Sequence, residues 1–399
     1  HNFQIIKDSL SFVLDDISGK EKSGLQIDDL GAETIISSTT MRFDKLRIIT
    51  PKSDIKDYLE FNYKSYADFS DFIEVVKVKS NFNESHLHTD DLALFSNTLS
   101  DYNELITASG KVDGTIANLR SRNLDLKVGN HTSFIGSARL TGLPDIYKTK
   151  FDIDAKQLTT QTKDLARLIK LDPTPKEFLN LGRVSYVGTF KGFIDDFKLD
   201  ASITSDVGNI RTDLQFNQKQ TIATYTGNVQ SENLNLQKLL EDPKLGSTSF
   251  DLNIDGRGLA LKQLSAGLTG QVNHIDYDGY DYKNIGIDGN VKDKIFAGNF
   301  KINDPNFTLD FDGNLDVTAD QPKVAIATNV TTLNLKTLGL DTIDNILSFN
   351  GDLKLIGDNI DNITGDIDLD SLTLARNNST YKIKNVKFNA TDSNNQKHY

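Results

Sequence analysis

The stretch Phe250-Asp251-Leu252-Asn253-Ile254-Asp255-Gly256 decides the fold class, because large apolar and polar residues alternate along it with a period of two. Successive side chains of a β-strand point to opposite faces, so this period predicts a strand with one apolar and one polar face. A sheet covered by helices on both sides would show continuous apolar runs instead. The alternation recurs from about residue 110 onward, at Leu124, Leu126 and Val128, at Phe197, Leu199, Ala201 and Ile203, and at Phe307, Leu309 and Phe311.

Pairs of Asp or Asn with Gly punctuate these runs. Such pairs tolerate the positive φ that a tight two-residue hairpin requires. We therefore predict hairpin turns at Asp113-Gly114, Asp255-Gly256, Asp278-Gly279, Asp288-Gly289, Asp312-Gly313 and Asn350-Gly351. The apolar phase also slips between Ile383 and Val386, which predicts a β-bulge in that strand.

A strand followed by a short helix is predicted four times, with key leucines at Leu92, Leu165, Leu239 and Leu338. The spacings are 165 − 92 = 73, 239 − 165 = 74 and 338 − 239 = 99, so the last interval has room for one or two more strands. The sequence thus predicts an all-β, elongated array of hairpins with short helices between its units. The predicted units are 1–95, which is less regular, 96–168, 169–240, the longer 241–338, and the partial 339–399.

Composition excludes several classes of function. The net charge is −12, from 56 acidic and 44 basic residues, and the Lys and Arg residues are scattered, so we expect no nucleic-acid partner. The absence of cysteine excludes disulfides, thiol catalysis and thiolate zinc sites. No run approaches 18 consecutive apolar residues and the sequence begins at His1, so we expect any membrane anchor to lie outside it.

Two patterns suggest metal ligands, and each has a simpler explanation. His86 and His88 would share one face of a strand, but no third ligand accompanies them, and two solvent-facing histidines at a strand end account for them better. Asp276–Gly279 and Asp310–Gly313 resemble the start of a calcium loop. Ile287 stands where that loop needs a bidentate Glu, so hairpin turns are the favoured interpretation. We expect no metal and no cofactor.

The remaining candidate groups also favour structural roles. Tyr277, Tyr280 and Tyr282 could form an aromatic contact surface for a ligand, although cross-strand packing in a hairpin explains them better. No nucleophile elbow, phosphate-cradling loop or dinucleotide fingerprint occurs. The 56 carboxylates offer no selective sign of an acid–base pair. We expect no catalytic residue and no enzymatic activity.

Nearly the whole chain resembles the TamB family of bacterial envelope proteins, which are relatives of the AsmA-like group, in the form found in Bacteroidota. Four stretches carry the resemblance: 21–30 leading into Met41–Leu46, Asp91-Leu92-Ala93, Asp164-Leu165-Ala166, and 300–317 with its Asp304-Pro305-Asn306 turn. The resemblance implies a long sheet curled into a groove with an apolar lining, a β-taco. It also implies an inner-membrane anchor, a path through the periplasm of a Gram-negative bacterium, and a TamA-type outer-membrane barrel protein as partner.

The resemblance and the alternation together predict a passive conduit for phospholipid between the inner and outer membranes, which would support outer-membrane biogenesis. The predicted inward, lipid-facing residues are Leu124, Leu126, Val128, Phe197, Leu199, Ile203, Phe250, Leu252, Ile254, Phe307, Leu309 and Phe311. Two alternatives stay open. One is a chaperone-like factor that offers open sheet edges to nascent outer-membrane proteins. The other is a structural β-solenoid whose apolar faces pack against each other.

Overall fold

The structure is a computed structural model that describes residues 3–6, 8–22, 24–94, 100–219, 221–259, 264–318, 321–357, 363–377, 379–393 and 396–398. The chain forms two compact units, His1–Asp206 (unit 1) and Val207–Tyr399 (unit 2). Both units consist mainly of antiparallel strands. The prediction of an all-β array of hairpins with short helices between groups of strands is confirmed.

Unit 1 contains twelve strands among its described residues. They are β1 Gln4–Ile6, β2 Ser9–Lys20, β3 Gln26–Ser37, β4 Thr40–Ile49, β5 Asp54–Asn62, β6 Lys77–His88, β7 Leu105–Thr115, β8 Asn118–Val128, β9 Thr132–Thr141, β10 Lys150–Gln161, β11 Arg183–Phe193 and β12 Asp196–Ser205. Its helical segments are a 3-10 helix Tyr66–Asp71, α1 Phe72–Val75, α2 Thr89–Ala93, α3 Thr162–Leu168 and α4 Lys176–Asn180. Each strand from β1 to β12 pairs antiparallel with the next.

Unit 2 repeats this arrangement, with one helix among its described residues. Its described strands are β13 Gly208–Asn217, β14 Thr224–Asn235, β15 Leu245–Arg257, β16 Ser265–Tyr277, β17 Tyr280–Lys292, β18 Ile295–Asn303, β19 Phe307–Asp316, β20 Lys323–Asn334, β21 Asn345–Ile356, β22 Thr364–Arg376, β23 Ser379–Ser393 and β24 Gln396–His398, and α5 is Leu236–Leu240. Each strand again pairs antiparallel with its successor. No helix in the described ranges is both long enough and apolar enough to cross a membrane.

Three of the four predicted strand-to-helix elements contain a helix, namely α2, α3 and α5. The fourth is a hydrogen-bonded turn after β20, in which the Leu338 N–H donates to the Asn334 carbonyl at 3.1 Å. Four described strands lie between α2 and α3 and four between α3 and α5. Six described strands lie between α5 and this turn, which explains the longer spacing.

Five of the six predicted Asx-Gly hairpin turns are wrong. Only Asp278-Gly279 is a turn, between β16 and β17, whereas Gly114, Gly256, Gly289, Gly313 and Gly351 lie inside strands. In these pairs the Asx side chain lies on the polar face and the glycine on the apolar one. Many inward glycines have backbone conformations that exclude a side chain: φ is +124° at Gly114 and +154° at Gly313. Gly114 and Gly313 therefore bend their strands rather than end them.

Bulges recur in both units, and a polar residue with positive φ often marks them. Register shifts next to Asn123 in β8 and Asn233 in β14 are two examples. The predicted bulge near Ile383 is wrong, because β22 and β23 pair without a register shift. Leu372 lies opposite Ile383 and Leu369 opposite Val386. The apolar alternation therefore shifts at the same place in both strands, and neither strand contains an extra residue.

Candidate functional site

The apolar face of unit 2 consists of rows of residues that lie directly opposite one another on successive strands. One row is Phe250, Val272, Ile285, Ile302 and Leu309 on β15 to β19. A second row is Leu252, Gly270, Ile287, Phe300 and Phe311 on the same strands. Opposed residues share a face, so these rows form one continuous apolar surface.

This surface bends inward where glycine interrupts a strand. Phe296 and Phe300 are four residues apart on β18, which would separate their Cα atoms by about 13 Å in a straight strand. Their ring centroids are only 6.5 Å apart, and both rings pack against Phe311 at 6.2–6.3 Å. Gly298, between them, has φ +152°. The strand therefore folds around Gly298, and the aromatic side chains fill the concave side of the bend.

Most of the apolar face is only half-buried. Val272, Ile285 and Ile302 form a small buried cluster, while Phe250, Leu252, Ile287, Phe300 and Leu309 around it keep part of their surface exposed. Among the described residues, the largest side chain with less than 2% exposure is Val76. A domain of two packed layers would bury Leu, Ile and Phe completely at its centre. The described strands of unit 2 thus present apolar side chains that no second layer covers.

The predicted lipid-facing residues of unit 2 all lie on this face. Phe250, Leu252, Phe307 and Leu309 surround the buried cluster. Ile254 lies opposite Leu268 of β16. Phe311 is 8% exposed because the rings of Phe296 and Phe300 cover it.

The predicted residues of unit 1 also share one face. Leu126 and Ile203 belong to a single row that runs from β8 to β12 through Phe134, Leu158 and Tyr186. The others pair with inward residues as follows: Leu124 with Gly136, Val128 with Ile106, Phe197 with Gly192, and Leu199 with Phe190. Whether lipid occupies these positions stays a prediction.

Sequence reasoning did not select the centre of the unit 2 cluster. Val272, Ile285 and Ile302 lie on strands in which glycine replaces the expected apolar residue at Gly270, Gly289 and Gly298. The signal that could have found them is the combined alternation of apolar residues and glycine. Counting inward glycines as strand positions restores the period of two in β16, β17 and β18.

The inner face of unit 1 is less uniformly apolar. One row places Thr34 and Ser80 among Phe12, Phe43 and Leu59. Both hydroxyl groups are buried, and neither has a hydrogen-bond partner among the described residues. The Tyr186 hydroxyl is likewise buried and unpaired, and burial, followed by the charges of Asp200 and Asp154, raises the pKa of Tyr186 to about 12.

A helical segment covers part of the apolar face in unit 1. The segment is the 3-10 helix Tyr66–Asp71 with α1, and its Phe69 and Phe72 rings contact the Phe61 ring of β5 at 6.3 and 5.5 Å. The Ala117 N–H donates to the Ile73 carbonyl at 3.0 Å, which ties the segment to the β7–β8 turn. Burial, followed by a hydrogen bond with Tyr66, raises the pKa of Tyr63 beside this cluster to about 12.

The opposite face of the strands is polar. Cross-strand hydrogen bonds join its side chains, for example from Asn228 Nδ2 to Asp251 Oδ1 at 2.8 Å and from Asn299 Nδ2 to Asp310 Oδ1 at 3.2 Å. Lys387 Nζ lies 2.5 Å from Asp368 Oδ2 on the last hairpins. This face is suited to water, because its groups are paired, charged and exposed.

The histidines, acidic motifs and tyrosines singled out in the sequence take structural positions. His88 Nδ1 accepts a hydrogen bond from the Asp90 N–H at 3.2 Å and caps α2. Its side chain is only 17% exposed, so the expectation that it faces solvent is wrong.

The acidic motif Asp310–Gly313 lies inside β19, so the expectation of a hairpin turn there is wrong as well. Tyr282 packs across strands on Phe307, with ring centroids 6.2 Å apart. The expected absence of enzymatic activity stays a prediction.

Comparisons with models of protein families, with curated proteins and with solved structures found no match.

Proposed function

We propose that this chain is a TamB-like envelope protein that binds the acyl chains of phospholipid along its apolar face and conducts the lipid passively through the periplasm. The observation that carries the proposal is the set of large, half-buried apolar side chains aligned from strand to strand without a covering layer. A continuous apolar surface that stays exposed marks an interaction site. An acyl chain matches such a surface because it is long, flexible and wholly apolar.

The energetic benefit of such a face is large. Exposing a lipid acyl chain to water costs about 0.8 kcal/mol per CH₂ group, so two chains of about 16 carbons cost on the order of 25 kcal/mol. Rows of Leu, Ile, Val and Phe replace water around the chains and remove most of that barrier. The process requires no catalytic residue. The polar opposite face would stay in water, and we propose a TamA-type barrel protein and the two membranes as partners.

The half-exposure of the face favours this proposal over a structural solenoid. In a closed solenoid the apolar side chains would cover each other, and Leu252 or Phe300 would be fully buried. Both keep part of their surface exposed. The face can therefore accept an apolar molecule.

Photocrosslinking at two neighbouring residues of β15 tests the proposal. Leu252 lies on the apolar face and Asn253 on the polar face of the same strand. A benzophenone amino acid at Leu252 should form phospholipid adducts in cells, detected by mass spectrometry of the purified chain, and one at Asn253 should not. Equal lipid labelling at both positions, or labelling of unfolded outer-membrane proteins alone at Leu252, would contradict lipid conduction.

A charge placed on the apolar face tests transport itself. Leu309→Asp should abolish transfer of fluorescent phospholipid between donor and acceptor vesicles, because a carboxylate in an apolar path is costly to desolvate. Asp310→Asn on the polar face of the same strand is the control and should leave transfer unchanged. Circular dichroism establishes that both variants fold. Unimpaired transfer by a folded Leu309→Asp variant would refute the proposal.

A further inference from the structure

The β16–β17 hairpin brings together three potential metal ligands that lie on its two strands, His274 and Asp276 before the turn and Asp281 after it. Its two-residue turn, Asp278-Gly279, sets the register so that Asp276 lies directly opposite Asp281 and His274 lies opposite Lys283. Ile275 and Tyr282 pack on the apolar cluster, so the residues on either side of them belong to the polar face. The ligand atoms of His274, Asp276 and Asp281 all lie within 4.8 Å of one another.

The distances suit a metal of the zinc type. Zinc binds imidazole nitrogen and carboxylate oxygen at about 2.0–2.1 Å, so two ligand atoms at the tetrahedral angle lie about 3.3 Å apart. His274 Nδ1 and Asp281 Oδ1 are 3.1 Å apart. A small outward movement of the two side chains would admit the cation. One imidazole with only two carboxylates favours zinc over calcium, which needs six or more oxygen ligands.

Neighbouring groups orient the third ligand. Asp276 Oδ2 accepts hydrogen bonds from the Ser247 N–H at 3.0 Å and the Ser247 hydroxyl at 2.7 Å on β15. Ligating carboxylates in metal sites commonly have such secondary hydrogen bonds. Gly246 leaves room for the carboxylate, since a Cβ atom at Gly246 would lie 2.5 Å from Asp276 Cβ. The chain therefore holds Asp276 in one orientation toward its partners.

Two directly opposed carboxylates are unfavourable in a sheet unless a cation lies near both. Lys283 Nζ lies 3.4 Å from Asp281 Oδ2, on the side away from the oxygen that contacts His274. We propose that His274, Asp276 and Asp281 bind one zinc-type divalent cation, with water completing its coordination. The metal would join β16 to β17. It would also hold β15 in place, because Ser247 of β15 donates its hydrogen bonds to the ligand Asp276.

Another histidine of the chain supplies a matched control. His131 Nδ1 lies 3.1 Å from Asp164 Oδ2, which equals the His274–Asp281 distance. Arg167 lies beside this pair: its NH2 is 4.0 Å from Asp164 Oδ1, and its NH1 is 2.6 Å from Glu104 Oε1. Arginine supplies the positive charge there, and no second carboxylate completes a ligand group with His131 among the described residues. We expect no zinc site at His131.

Zinc titration of the untagged, metal-free 399-residue chain tests the proposal, with a fluorescent zinc indicator as competitor. The chain should bind one equivalent of zinc, with water completing the coordination by the three protein ligands. His274→Gln and Asp281→Asn should weaken binding at least tenfold, whereas His131→Gln should not change it. Addition of zinc should raise the melting temperature of the parent chain and of His131→Gln only.

Three results would overturn the inference: no stoichiometric binding, equal binding by the parent chain and His274→Gln, or a preference for calcium over zinc. Circular dichroism of the metal-free variants establishes that weaker binding does not result from unfolding. The outcome is independent of lipid conduction, because none of the three ligands lies on the apolar face.

Discussion

The apolar surface is shielded differently in two regions of the molecule. In unit 1, the helical segment 66–75 places Phe69 and Phe72 over Phe61 of β5. In unit 2, no separate segment among the described residues covers the row from Phe250 to Leu309. The strands themselves bend, so that Phe296, Phe300 and Phe311 shield one another.

The same pattern of antiparallel strands can thus limit the exposure of its apolar side chains in two ways. A cover needs an inserted segment with its own aromatic residues, while a bend needs glycine at inward positions. The bend keeps the face continuous from strand to strand, and it makes the fold dependent on backbone conformations that only glycine adopts readily. Unit 2 should therefore be most sensitive at its glycines. Unit 1, which has inward glycines such as Gly188 with φ +146° as well, should also be sensitive at its aromatic cover.

The largest effect should come from a bend glycine. Gly270 of β16 has φ +144°, and a Cβ atom there would lie 2.2 Å from the Asp251 carbonyl oxygen. We expect Gly270→Ala to lower the free energy of unfolding by about 3 kcal/mol, since both the backbone and the neighbouring strand must shift. Urea denaturation followed by circular dichroism measures the change.

Gly267 of the same strand is the control. It has no positive φ, and a Cβ atom there would meet the Asn290 side chain at 3.4 Å and the Asp255 carbonyl oxygen at 3.8 Å, which are ordinary contact distances. Gly267→Ala should therefore stay within about 0.5 kcal/mol of the parent chain. Equal effects at Gly267 and Gly270 would mean that glycine does not bend this strand.

The aromatic cover of unit 1 should give the next largest effect. Phe72→Ala removes the closest ring contact to Phe61 and exposes part of the apolar face. Phe72 is half-buried, so we expect a loss of about 2 kcal/mol, less than for a fully buried phenylalanine. Val75, at the end of the same helix, is 37% exposed, and Val75→Ala should have little effect. A larger loss at Val75 than at Phe72 would contradict the role of the cover.

A substitution at a bulge residue should have the same effect on stability in unit 1 and in unit 2, because both units contain such bulges. Asn123 of β8 and Asn233 of β14 have φ of 51° and 66° and are exposed. Replacing either by valine should cost about 1.5 kcal/mol, because a β-branched residue resists the left-handed conformation. Glycine at either position should be nearly neutral. A cost in only one unit would show that the bulges are not equivalent.

The sequence predicts the strands well because alternation is a local signal. The period of two around Leu252 or Leu309 depends only on which face is apolar, and the structure confirms the all-β fold. The Asx-Gly pairs mislead, because the same dipeptide suits a hairpin turn at Asp278-Gly279 and a bend inside a strand at Asp312-Gly313. In a hairpin turn the residues after glycine fold back and pair with the residues just before the dipeptide. In a bend the strand continues and pairs with neighbouring strands on both sides, and the dipeptide alone does not decide between these two outcomes.

The candidate sites likewise contain some residues that the sequence predicts and others that only the structure identifies. The apolar residues of β15 and β19 were predictable, whereas Val272, Ile285 and Ile302 were hidden by the glycines beside them. The ligand group at His274, Asp276 and Asp281 depends on the register of one hairpin. A shift by one residue would place Asp281 on the apolar face, so only the structure could bring these three side chains together.

The smallest effect should come from Tyr186, whose hydroxyl is buried without a partner on the inner face of unit 1. Tyr186→Phe removes an unpaired polar group and should stabilise the chain by about 1 kcal/mol at neutral pH. Burial raises the pKa of Tyr186 to about 12, above the ordinary value of 10.0, so the parent chain loses stability as the pH rises from 10 to 12. The loss should be smaller in Tyr186→Phe, as measured by urea denaturation at pH 7 and pH 11. Tyr277→Phe, at a residue that is 43% exposed, should leave both values unchanged. Destabilisation by Tyr186→Phe at neutral pH would instead mean that the Tyr186 hydroxyl contributes a favourable contact to the inner face of unit 1.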